Sequence, residues 1–295
     1  MLRKHGTRQH AAALRALYTR RMQEVPATMN LNNGLSIPSV GLGVWKARGQ
    51  EAVQAVRWAL DCGYRLIDTA AIYQNEEEVG TAVAASGIPR SDIFVTTKVW
   101  NADQGYESTL AAIDQSLQKL KMNYVDLYLI HWPFTERLQG ENRREETWKA
   151  METILASGRA RSIGVSNYEI EHLEEMTQYA TVPPAVNQVE FHPFWFRKEL
   201  MDYCHRNDVQ VEDYCPLAKG KCLTDERVTA IARAHEKTNA QIFLRWGLQH
   251  GNIVIPKSVH KERIQENFAV FDFALSETEM GRIDALNANE SVLWL

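Results

Sequence analysis

Arg65-Leu66-Ile67-Asp68-Thr69-Ala70-Ala71-Ile72-Tyr73 decides the fold. A short apolar run ends in a carboxylate, and a phenol follows five residues later. The form returns twice. Phe94-Val95-Thr96-Thr97-Lys98 ends in an ammonium, and Asp126-Leu127-Tyr128-Leu129-Ile130-His131 ends in an imidazole. Short apolar runs bounded by polar punctuation read as buried strands. Titratable groups at the C-terminal ends of successive strands are what the active site of a barrel enzyme requires.

Outward from this stretch, strand and helix signals alternate. Further strands are expected at 40–45, 163–166, 185–191, 209–214 and 253–256, beside 66–69, 93–99 and 125–131. Helical patterns fill the gaps, for example at 51–62, 106–120 and 147–157. Eight strands alternating with helices predict an α/β fold with a parallel sheet. A doubly wound dinucleotide fold carries G-x-G-x-x-G. Here Gly41-Leu42-Gly43 runs into Val44-Trp45-Lys46, so that spacing fails, whereas a closed (β/α)8 TIM barrel has no such requirement. Ahead of the first strand, Asn32-Asn33-Gly34 separates two apolar segments and predicts a β-hairpin.

The chain has 295 residues, 45% hydrophobic and 24% charged, with net charge −4. That balance gives no basic field for nucleic acid, and no run is long enough to span a membrane. Cys62, Cys204, Cys215 and Cys222 form no C-x-x-C pair, and neither they nor the histidines have metal-ligand spacing, so no metal is expected. Scattered thiols point to a reducing compartment such as the cytoplasm.

Residues 1–28 differ from the rest. Arg3, Lys4, Arg8, Arg15, Arg20 and Arg21 oppose Glu24 alone, a net of +5 that leaves −9 for the remainder. Leu14, Leu17, Tyr18 and Met22 share one helical face. Three readings stay open: a mitochondrial transit peptide, though without serine; a disordered extension; or sequence upstream of a start at Met29. Residues 29–295 are expected to form one barrel domain.

The ordered words Leu66-Ile67-Asp68-Thr69-Ala70-Ala71-Ile72-Tyr73, Phe94-Val95-Thr96-Thr97-Lys98, Leu129-Ile130-His131-Trp132-Pro133, Ile163-Gly164-Val165-Ser166-Asn167 and Ile255-Pro256-Lys257-Ser258 resemble the aldo-keto reductases from about Leu31 to Asn289. The resemblance implies a hairpin plugging the barrel bottom, NADPH-dependent reduction of a small-molecule carbonyl, and a monomer. It also implies a catalytic tetrad of Asp68, Tyr73, Lys98 and His131. Tyr73 would donate the proton, Lys98 and Asp68 would tune it, and His131 would orient the substrate. A free phenol titrates near pH 10, so a neighbouring ammonium is expected to lower the Tyr73 pKa. Singly, these residues read more simply as helix caps, core aromatics or solvated charges; together and in order they read as a site.

By the same resemblance, Ser166, Asn167 and Gln188 would hold the nicotinamide carboxamide and Tyr214 would stack on the ring. Asn167 and Gln188 could instead satisfy backbone groups at strand ends. Lys257, Ser258 and Arg263 would hold the 2′-phosphate, and Glu266 and Asn267 the adenine. Backbone N–H groups at a helix start favour anions, and arginine offers phosphate a planar fork. Trp45 and Trp100 would wall the substrate pocket, with ordinary core as the alternative.

Cys215 stands where many relatives have serine. The connection from Trp132 to Glu146 is short, and little sequence follows Asn289, so an open pocket is expected. Residues 100–109 look closest to protozoan prostaglandin F synthases and bacterial diketogluconate reductases, which makes prostaglandin F synthase-type activity a candidate. Two other classes compete: a cofactor-binding regulatory protein of the same fold, and a Schiff-base aldolase using Lys98. Asp68 opposes the aldolase, because it would keep Lys98 charged.

Overall fold

Strands β1 (Thr28–Asn30) and β2 (Ser36–Pro38) form an antiparallel hairpin around the Asn32-Asn33-Gly34 turn, in register Thr28↔Pro38, Met29↔Ile37 and Asn30↔Ser36. Gly34 supplies the left-handed φ of 84° that the turn needs. The computed structural model describes residues 25–134 and 143–293. The apolar face assigned to Leu14, Leu17, Tyr18 and Met22 lies outside the described residues, as does most of the 132–146 connection.

Eight strands follow, parallel and in chain order: β3 (Gly41–Gly43), β4 (Leu66–Asp68), β5 (Phe94–Val99), β6 (Leu127–Ile130), β7 (Ile163–Ser166), β8 (Val186–Glu190), β9 (Gln210–Tyr214) and β10 (Ile253–Val254). Each falls inside a predicted strand. Val254 N–H donates to Ser39 O at 3.0 Å and Gly43 N–H to Pro256 O at 3.2 Å, which joins the last strand to the first and closes the barrel. Most helices between strands bury one stripe, whereas Asn239–Gln249 is buried on all sides. In Tyr106–Leu120 the buried positions are Thr109, Ala112, Ile113, Ser116, Leu117 and Leu120, the spacing of an amphipathic helix.

Strand residues alternate between the two faces of the sheet. Ile67, Val95, Tyr128, Ile130, Val165, Val189 and Val211 pack outward, in the cluster shared with the helices. Leu66, Phe94, Leu127, Val186 and Ile253 point inward at the strand starts and meet Leu31 and Ile37 of the hairpin. Asn32 Nδ2 donates to Pro184 O and Asn33 Nδ2 to Arg161 O, both at 3.0 Å, pinning the hairpin turn under the barrel. The hairpin therefore seals the bottom. Above this layer Leu129 and Ile255 are still apolar, whereas Asp68, Thr96, Lys98, Gln188 and Glu212 are polar and make the site.

Thr97, Asn187 and Asp213 break the outward apolar pattern, and Asp213 is the carboxylic acid among them. Asp213 on β9 is buried beneath helix Asn239–Gln249, where a Cβ at Gly247 would come within 2.7 Å of its Oδ2. Glycine thus makes room for the carboxyl, and Asn252 Nδ2 donates to its Oδ1 at 2.9 Å. Burial first, opposed by the Asn252 bond, pushes the Asp213 carboxyl well above the ordinary carboxylate range. The folded chain then keeps a proton that the unfolded chain releases above about pH 4. Stability should fall as pH rises above that point, by about 1.4 kcal/mol per unit, until the folded group itself ionises. Asp213→Asn keeps the shape of the neutral acid and should lose that slope. Urea unfolding of both proteins at pH 5, 6 and 7 checks this; parallel pH profiles would refute it.

Candidate active site

Lys98 occupies the inward face of β5 and is fully buried. Its Nζ donates to both Asp68 oxygens at 2.7 Å and to Thr69 O at 2.9 Å, so all three ammonium hydrogens have acceptors. Tyr73 sits above this pair on the 3-10 turn Ala71–Tyr73, its ring centroid 5.2 Å from Lys98 Nζ. His131 meets the Tyr73 ring edge-on at 5.6 Å between centroids, and Trp100 meets His131 at 5.1 Å. The four residues read from strand ends thus converge on one spot at the C-terminal mouth of the barrel.

The electrostatics correct one expectation. The Tyr73 pKa is not lowered on balance, because burial and the Asp68 carboxylate work against the ammonium. Burial first, and the Asp68 charge second, push the phenol well above its ordinary value, so Tyr73 keeps its proton. Burial first, and Lys98 second, push His131 well below its ordinary value. A neutral imidazole has one N–H to donate. Its Nδ1 is buried and has no hydrogen-bond partner among the described residues.

Around this centre runs a polar network at the ends of β7, β8 and β9. Ser166 Oγ donates to Gln188 O at 2.8 Å. Asn167 has φ 62° and donates from Nδ2 to His131 O at 2.9 Å and to Ser166 Oγ at 3.1 Å. Its Oδ1 accepts the Tyr214 hydroxyl at 2.8 Å. Asn167 therefore does satisfy a backbone carbonyl, and it also locks Tyr214 and His131 together. Gln188 does something else. Its Nε2 donates to Asp68 Oδ2 at 2.8 Å and also to Glu212 Oε1.

Glu212 is a buried site residue that the motif reading passes over. Its signal was available: it lies two residues before Tyr214 on one strand, so both face inward. Burial, with the Asp68 charge second, pushes its carboxyl up to about 8. Cys215 follows Tyr214 with φ 51°, and burial pushes its thiol up to about 11, which leaves it an unreactive neutral group.

Beyond β10, Lys257 and Arg263 are exposed and form no ion pair among the described residues. Arg263 lies in the first turn of helix Lys261–Phe268. Ser258 is buried, its Oγ accepting from His260 N–H at 3.1 Å, and so shapes the loop entering that helix. Glu266 accepts from Thr238 Oγ1 at 2.7 Å, and Asn267 is buried beside it. These residues share one end of the mouth and leave two cations open to an anion.

Apolar side chains also rim the opening. Trp45 is 37% exposed, Ile72 40% and Phe134 51%, each just past the end of a barrel strand. Ile72 and Phe134 were not among the predicted pocket residues. The C-terminal segment is tied down next to them. Ser291 Oγ and Val292 N–H both donate to Glu190 at 2.6 Å, and Lys219 Nζ donates to Val292 O. Among the described residues, no three His, Cys, Asp or Glu side chains cluster as a metal site would need, and no helix is long and apolar enough to cross a membrane.

Comparison with known proteins supports the same fold. The sequence profile of the aldo/keto reductase family matches residues 39–288. The chain is 50% identical over 266 residues to a glyoxal reductase of Bacillus subtilis, covering 90% of this chain and 94% of that one. It is 46% identical over 268 residues to a 9,11-endoperoxide prostaglandin H2 reductase of Trypanosoma cruzi, covering 90% and 93%. A crystal structure of a Bombyx mori aldo-keto reductase in complex with NADP superimposes with a TM-score of 0.85 at 36% identity, covering 92% and 95%.

Proposed function

The chain belongs to the aldo/keto reductase family, and we propose that it reduces small aldehydes and ketones to alcohols with NADPH, using Tyr73 as proton donor. The observation that carries this is the buried Lys98–Asp68 ion pair beneath Tyr73 and His131. A charged pair with no solvent contact is costly, and packing alone would be served as well by apolar residues. Placed under a phenol at a barrel mouth, it has a chemical use.

When bound, the reduced nicotinamide supplies the hydride to the carbonyl carbon. The chain supplies the rest. His131 donates its single N–H to the carbonyl oxygen and stabilises the negative charge developing there. Tyr73 passes its phenolic proton to the same oxygen, and Lys98 stabilises the phenolate left behind. Asp68 pairs with the ammonium and holds it in place.

The residues present fit the cofactor. Gln188 Oε1 accepts no hydrogen bond among the described residues, which leaves an acceptor for the carboxamide beside the Tyr214 ring. Ser166 and Asn167 hold that corner. Lys257 and Arg263, free of carboxylate partners, fit the 2′-phosphate, with Ser258 shaping the loop and Glu266 and Asn267 toward the adenine. Trp45 and Trp100, joined by Ile72 and Phe134, exclude water from the reacting carbonyl.

The test follows NADPH absorbance with glyoxal, methylglyoxal, an aromatic aldehyde, phenanthrenequinone and prostaglandin H2, with NADH in parallel. The named relatives make glyoxal and prostaglandin H2 the first substrates to try. Tight NADPH binding without turnover on any of them would favour a regulatory protein of this fold. Arg263→Ala should raise KM for NADPH about tenfold, the worth of a charge-assisted hydrogen bond, and leave NADH unchanged. An equal effect on both cofactors would remove Arg263 from the 2′-phosphate.

A further inference from the structure

Gln188 has two amide hydrogens, and both are spent on carboxyl groups. One goes to Asp68 Oδ2 at 2.8 Å and the other to Glu212 Oε1. Turning the amide over would set its oxygen against two carboxyl oxygens. The bonds therefore fix which way the amide faces, with Oε1 toward the mouth. Asp68 alone would hold only one of the hydrogens and leave the amide free to pivot.

We propose that Glu212 is a positioning residue, which locks the Gln188 amide so that its oxygen is presented to the nicotinamide carboxamide. This rests on the cofactor reading above and deepens it. Glu212 lies opposite Gln188 in the β8–β9 register and is fully buried. Its Oε2 has no partner among the described residues, so its use to the fold is confined to the bond through Oε1. The result is a chain of contacts across the barrel from Lys98 on β5 through Asp68 on β4 and Gln188 on β8 to Glu212 on β9. Asp68 and Lys98 are the charges facing Glu212, and Tyr73 lies within their field. Glu212 Oε1 can accept from the amide when the carboxyl is ionised and also when it carries its proton on the unpartnered Oε2.

Binding, rather than turnover, tests this. Adenosine 2′,5′-bisphosphate carries the phosphate end of the cofactor and lacks the nicotinamide. Kd for it and for NADPH would be measured by fluorescence titration on Glu212→Leu, Glu212→Gln, Gln188→Ala and the Gln188→Ala/Glu212→Leu double variant. Glu212→Leu should weaken NADPH about tenfold and leave the bisphosphate unchanged. Glu212→Gln keeps an acceptor oxygen and should stay within about twofold of the parent protein on both. Glu212→Leu should add nothing to Gln188→Ala, since both remove the same contact. Equal loss on both ligands, no loss on either, or a large loss in Glu212→Gln would each overturn the proposal. If Glu212→Leu does not fold, Glu212→Met, which also lacks an acceptor oxygen and is closer in volume, takes its place with the same expected tenfold loss. Unchanged NADPH affinity in Gln188→Ala would instead sink the cofactor reading of Gln188 itself.

Discussion

Tyr73→Phe should bind NADPH as tightly as the parent protein and turn over carbonyl substrates on the order of a thousandfold more slowly, the usual worth of a positioned general acid. The variant isolates chemistry from structure unusually well. The Tyr73 hydroxyl makes no hydrogen bond among the described residues, so its removal leaves no buried partner stranded. The ring contacts to His131 at 5.6 Å and Lys98 at 5.2 Å survive in phenylalanine. Single-turnover rates at saturating NADPH, beside a fluorescence titration of the cofactor, give the two readouts. A variant that keeps a tenth of the rate would remove Tyr73 as the proton donor. The raised phenol pKa sharpens the expectation: the proton is held until the substrate oxygen becomes basic enough to take it.

Lys98→Met should cost both activity and about 3–5 kcal/mol of stability, because it leaves the Asp68 carboxylate buried without its cation. Asp68 keeps only the Gln188 amide as a side-chain partner, at 2.8 Å. The double variant Lys98→Met/Asp68→Leu removes the stranded charge and should regain most of the lost stability while staying inactive. Urea unfolding of the two variants measures the difference. A Lys98→Met loss below about 1 kcal/mol would show that Asp68 neutralises at little cost, and the ion pair would lose its place as the organising feature of the site.

The barrel was legible because its strands announce themselves locally. Leu66-Ile67-Asp68 and Phe94–Lys98 each carry their inward polar group at the end of an apolar run, and alternation alone sets the facing. The tetrad was legible for the same reason. Contacts across the barrel were not. That Gln188 binds Asp68, 120 residues away, depends on how strand register brings β8 opposite β4, and no local pattern encodes that. Glu212 and Asp213 sit side by side on β9 with opposite facings, one toward the site and one under Gly247. Only the three-dimensional packing shows that glycine is what admits the second carboxyl. Ile72 lies within the Leu66–Tyr73 motif and Phe134 just past Pro133, and their part in the rim follows from where the strands end. The direction of the Tyr73 pKa shift has a similar origin: the ammonium and its pairing with Asp68 are legible in the sequence, and the burial that outweighs the ammonium is not.

The hairpin under the barrel and the tail against Glu190 place the two described ends of the chain on opposite faces. Pro26 O accepts from Ser39 Oγ at 2.5 Å beneath the barrel, whereas Val292 lies beside the catalytic mouth. Immobilisation on a solid support should therefore be asymmetric in its effect. A linker joined ahead of Val25 leaves the working face turned toward solution. One joined behind Leu293 crowds the apolar rim and pulls on Lys219 and Glu190, so a biosensor or flow reactor made with this protein should be anchored from the hairpin side.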